Sequence, residues 1–175
     1  ARLAQRMDKL AREVAAEGDL AAGPGHYALG RGHLALGDDD LAAAELAEAW
    51  ERGYREPRVA YARALAEGHL YQRALREVER LPRELRAPRR RDVEARYRER
   101  IRSYLRASIG AEGVAPTYLA ALLAFYEDRF DDALARLDDI ERDGEALPWL
   151  YEVPLLRGEV LRARSAARSG QGAAV

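Results

Sequence analysis

His26, His33 and His69 are the only imidazoles in this chain of 175 residues, and no cysteine accompanies them. His26 and His33 stand seven apart, two helical turns, so they can share a face and offer nitrogen ligands to a metal. A metal site needs further ligands at set spacing, yet the chain has neither a thiolate nor an H-E-x-x-H arrangement. The plainer reading puts His33 in a packing slot and His26 near a helix start. Asp38-Asp39-Asp40 could attract a hard cation but lacks the remaining ligands of a calcium loop, so helix capping explains it better. Gly23, Gly25 and Gly30 echo a nucleotide-binding loop only faintly, because no strand precedes them and their spacing fits neither phosphate-binding fingerprint. Ser103, Ser108, Ser165 and Ser169 lie in no nucleophile elbow. Lys9 is the sole lysine, and neither H-R-D nor D-F-G occurs. The expectation is a non-enzyme without catalytic, metal or cofactor residues.

Arginine is the one chemistry-bearing residue type that clusters. The formal net charge is −1, so bulk electrostatics favour neither nucleic acid nor a membrane surface. Locally, 83–106 holds ten Arg against Glu84, Asp92, Glu94 and Glu99, whereas 112–145 holds ten acids against three Arg. Arg89-Arg90-Arg91 with Arg96, Arg98, Arg100 and Arg102 could bind the phosphates of a nucleic acid, or an acidic peptide. The four interspersed acids dilute that patch. An amphipathic helix whose Arg side pairs with the acidic 130–145 region is the favoured reading.

The elements that would carry these residues are all helical. Hydrophobic residues make up 48% of the chain but aromatics only 7%, and Ala, Leu, Arg and Glu dominate. Alternating strand-type runs are absent, as is any apolar run long enough for a membrane span. The chain begins at Ala1 without a Met, as expected of an excised or processed piece, and cytoplasm is the default location. Apolar spacing predicts a helix over 2–16 carrying Leu3, Met7, Leu10 and Val14 and stopped near Gly18. A helical hairpin follows, 25–36 and 39–52, opened by Pro24, closed at Gly37 and able to pack closely at Gly30 and Ala42. A second unit is expected over 58–67 and 70–81, broken at Gly68. An inserted long helix over 88–108, within about 83–109, would follow, with Val93, Tyr97, Ile101, Tyr104 and Leu105 as its apolar stripe. The hairpin pattern then resumes over 116–127 and 130–142. A last helix over 148–168 would include Trp149 and Leu150 and be kinked or delayed by Pro154, before a disordered tail at 171–175.

Leu29-Gly30, the ring of His33, and then Ala42, Leu46 and Ala49 resemble the tetratricopeptide (TPR) signature in its order. His26 stands where that motif has Trp and His33 where it has Tyr. Ala74 and Val78 answer Ala42 and Leu46 at a spacing of 32 residues, near the period of about 34. The blocks ALGRGHLALG, AWERGYREPRVAYA, LYQRAL and PWLYE also resemble, more loosely, the TPR arm of certain bacterial serine/threonine kinases. The resemblance implies an all-α, TPR-like array of helical hairpins (an α-solenoid) forming a single domain over 1–170, with one long inserted helix. It implies a non-catalytic interaction scaffold or regulatory arm, binding a protein or peptide on a concave face of first-helix side chains. The exposed positions expected there are Tyr27, Arg31 and Leu34, and in the later unit Tyr118, Leu119 and Leu122. An Arg one turn from a Tyr suits a peptide that carries a carboxylate. Nucleic-acid binding through the Arg-rich insert and homo-oligomerisation are the alternative expectations. Apolar residues on more than one face of the last helix imply cover from a partner chain, a downstream helix or the insert.

Overall fold

Residues 2–17, 19–143 and 152–172 are described in the computed structural model. The protein is all-α, with no strand among those residues, and it divides into two compact units, Ala1–Glu112 and Gly113–Val175. The first unit holds α1 (Arg2–Glu17), α2 (Asp19–Leu36), α3 (Asp39–Glu51), α4 (Pro57–Glu79) and α5 (Arg83–Ala107). The second holds α6 (Pro116–Tyr126), α7 (Phe130–Asp143) and α8 (Glu152–Gly172).

In the first unit each helix packs on its neighbour in sequence, and α2 also touches α4. Small residues set these distances. A Cβ at Gly25 or Gly32 would collide with Val14 or Met7 of α1, and one at Gly30 would lie 2.5 Å from Leu46 Cγ of α3. Notches of this kind let side chains of one helix seat against the backbone of the next. Ala42 and Leu46 of α3 then join Ala62 and Ala66 of α4 in a core, all of them at most 1% exposed. Gly37 ends α2 at φ +78°, a backbone that a side chain would strain. Its N–H donates to the Leu34 carbonyl and that of Asp38 to the His33 carbonyl, the double bond pattern of a helix C-terminus closed by glycine.

Helix boundaries differ from expectation at Gly68 and at two prolines. Gly68 does not divide a hairpin: α4 is one helix of 23 residues with Gly68 buried inside it. A mid-helix glycine costs about 1 kcal/mol, and packing along α5 more than offsets it. That packing also changes the status of α5, which is the antiparallel partner of α4 rather than an insert between units. Tyr71 meets Tyr97, Glu67 meets Arg100, and Glu79 meets Arg90 further along. Val93, Tyr97, Ile101 and Leu105 are its buried stripe.

The second difference is that neither Pro24 nor Pro88 opens its helix. Each is the sixth residue of one that starts at Asp19 or Arg83. A proline there removes one backbone bond close to the helix start, where the loss is smallest in extent. Pro154 lies within α8, Glu152–Gly172. The expectations for Gly18, Pro148, Trp149, Leu150 and residues 173–175 lie outside the described residues.

In the second unit α6 is apolar almost all round. Tyr118, Leu119, Ala121, Leu122, Ala124, Phe125 and Tyr126 are buried, as are Ala133, Leu137 and Ile140 of α7 and Val153, Leu156 and Val160 of α8. Leu155 and Leu161 stay exposed on α8. The acidic stripe of α7 finds its cations in that helix. Arg157 reaches Asp138 at 2.7 Å and Glu141 at 3.0 Å, and Arg164 reaches Asp131 at 2.7 Å. Burial works against the charged form of Arg157. Its bond to Asp138 and the charge of Glu141 more than offset this and leave it above the ordinary arginine range.

Candidate peptide-binding surface

Tyr27 and Arg31 lie one turn apart on α2, and the Arg31 Nη1 donates to the Tyr27 hydroxyl at 3.1 Å. Tyr27 is half-buried, with its ring packed on the Ala42–Leu46–Ala62–Ala66 core. It meets Tyr54, in the turn before α4, edge-to-face at 5.9 Å between centroids. Arg58, in the first turn of α4, sits 5.5 Å from both ring centroids, donates to the Tyr54 hydroxyl and pairs with Glu56 at 2.8 Å. The result is a four-residue platform in which α2 supplies one Tyr and one Arg, and the entry to α4 supplies the other two. The Arg31 guanidinium is exposed, and among the described residues no carboxylate pairs with it. A planar fork in that state, beside the Tyr27 ring, can donate two parallel hydrogen bonds to a carboxylate.

Sequence reasoning named Tyr27 and Arg31 but missed Tyr54 and Arg58. The signal that could have found them is the turn itself. Gly53, at φ +87°, reverses the chain so that Tyr54 folds back over the end of α3, its N–H bonded to the Ala49 carbonyl. Leu34, the third expected residue of this face, is half-buried against the same core. The other three are corrected: Tyr118, Leu119 and Leu122 are only 5–8% exposed. A helix with hardly any polar side is enclosed by its neighbours rather than displayed, and these three therefore hold the second unit together.

A second arginine–aromatic cluster lies between α3, α4 and α5, and nothing in the sequence spacing announced it. Arg63 of α4 stacks 4.3 Å from the Tyr104 ring centroid and 5.6 Å from that of Trp50. The two rings meet edge-to-face at 5.8 Å. Arg55 lies 5.8 Å from the Trp50 centroid and bonds the Trp50 carbonyl at 3.1 Å.

The remaining polar candidates fasten helices together. His26 bonds Glu45 at 2.7 Å and His69 bonds Asp39 at 2.7 Å, while Arg73 holds Asp40 through two bonds of 2.6 and 2.8 Å. Asp38 stands at the start of α3 without making a side-chain cap and lies 3.6 Å from His33 of α2, while Asp39 and Asp40 tie α3 to α4. The bond from Arg73 holds the Asp40 carboxyl below the usual carboxylate range. Several α5 arginines also have acids nearby: Arg100 bonds Glu67 at 2.9 Å, Arg90 pairs with Glu79, and Arg102 pairs with Glu99. Among the described residues no group of three or more His, Asp or Glu is placed to hold a metal, and no helix is long and apolar enough to cross a membrane. Comparison of the chain with protein-family models, with curated protein sequences and with solved structures returns no match.

Proposed function

We propose that this chain is a non-catalytic interaction module of the TPR type, a scaffold or regulatory arm that binds a protein or peptide partner through the first unit. The observation that carries the reading is the Tyr27–Arg31–Tyr54–Arg58 platform, with Arg31 exposed beside the Tyr27 ring and unpaired by any carboxylate among the described residues. The order of neighbour packing, with α2 reaching α4 across the intervening α3, supports a hairpin array in this unit. The partner is an extended peptide bearing an acidic side chain or a free C-terminal carboxylate, with an apolar residue near it to lie on the tyrosines.

A peptide-display selection on the immobilised protein tests this. Selected sequences are expected to share a carboxylate next to an apolar residue, and Tyr27→Ala with Arg31→Ala is expected to lose them. Retention of every selected sequence by that double variant would remove the platform from consideration.

A further inference from the structure

Most arginines that lean on other helices in this protein have a carboxylate. Arg73 has Asp40, Arg100 has Glu67, Arg157 has Asp138 and Glu141, and Arg164 has Asp131. Arg63 is different. It lies half-buried where α3, α4 and α5 meet, and among the described residues it has no hydrogen-bond acceptor and no ion-pair partner. Its contacts are the faces of Trp50 and Tyr104. Burial pulls its pKa below the ordinary arginine range, and Tyr104, with the nearby charges of Glu67 and Glu51, offsets that only in part. Glu67, the acid best placed to answer it, is already bonded to Arg100 at 2.9 Å. A guanidinium taken partly out of water without an acceptor gains when an anion arrives, and two aromatic walls hold its plane in place for that anion.

We infer that Arg63, walled by Trp50 and Tyr104, is a second anion-binding site, built for a carboxylate on an acidic peptide segment. Arg55, against the same indole, supplies further positive charge beside it. The planar fork fits a carboxylate in two parallel bonds, whereas Lys at this position would keep the charge but lose both fork and stacking. The site shares no residue with the Tyr27 platform and stands or falls independently of the proposed function.

Trp50 is itself the reporter, because the only other tryptophan, Trp149, can be replaced. In a Trp149→Phe background, acetylated tetraglutamate amide is titrated while Trp50 emission is followed, with inorganic phosphate in a parallel series. The peptide is expected to change the emission saturably. Arg63→Lys should weaken it at least fivefold and Arg63→Met should abolish it, both with an unchanged circular dichroism spectrum. Tyr27→Ala with Arg31→Ala should leave the titration intact. Wild-type affinity in Arg63→Lys would overturn the inference, as would the absence of a saturable change in the Trp149→Phe protein. So would loss of the response in the Tyr27/Arg31 variant. Saturation by phosphate and not by the peptide would contradict the carboxylate assignment.

Discussion

Helices α2 and α6 are each followed by a short antiparallel neighbour, and each carries tyrosine and leucine along its length, yet they present opposite surfaces. Helix α2 packs α1 into glycine notches on one side and α3 on another, and keeps a flank where Tyr27 and Arg31 reach solvent. Helix α6, with no charged residue from Pro116 to Tyr126, is enclosed by the chain around it. Glycine and arginine thus divide the labour in α2: the first brings helices close, the second keeps a face wet. The same residue types, Tyr and Leu, serve as core in one helix and as a candidate binding edge in the other. What differs is whether a charged neighbour one turn away holds that edge in water.

The largest effect that could break this contrast is a truncation in each helix. Leu122→Ala in α6 should cost about 2–5 kcal/mol, read from urea unfolding. Tyr27→Ala should cost only about 1 kcal/mol, since its side chain is only partly buried. Equal costs would mean that α2 and α6 are buried alike. Next come paired glycine substitutions. Gly30→Val drives a side chain into Leu46 and should lose about 1–3 kcal/mol. Gly158→Ala in α8 enters open space and should gain up to about 1 kcal/mol from helix propensity. A neutral Gly30→Val would dissolve the notch.

The smallest effect is acid-dependent. The Asp40 carboxyl is depressed by its bond to Arg73. Its contribution is therefore present above the usual carboxylate pKa and fades as pH falls through about 4 and below. Asp40→Asn should flatten that part of the acid melting curve slightly. An unchanged curve would show that the α3–α4 clamp adds nothing to stability.

The all-helical class, the α2–α3 hairpin and the buried stripe of α5 were legible because apolar spacing and the Gly37 stop agree with the packing that resulted. Gly68 misled because packing of α4 along α5 overrides a local breaker, a term absent from any short window of sequence. Pro24 and Pro88 misled because a proline close to a helix start removes only one backbone bond. The burial of Tyr118, Leu119 and Leu122 was readable in principle from the uncharged run of α6, which spacing alone treated as an amphipathic face. Arg63 was not readable, because its aromatic walls come from residues 13 positions before it and 41 after it.

The most direct test of the platform is the dissociation constant of one display-selected acidic peptide, measured by fluorescence anisotropy against four proteins. These are the wild type, Tyr27→Ala with Arg31→Ala, Arg58→Ala, and Leu161→Ala on the exposed side of α8. A peptide seated on α2 and the entry to α4 should bind at least about tenfold more weakly to the double variant, a loss of about 1.4 kcal/mol. Arg58→Ala should weaken it as well, and Leu161→Ala should not. Equal affinity for all four proteins would contradict the platform, and loss confined to Leu161→Ala would move the binding face to the second unit.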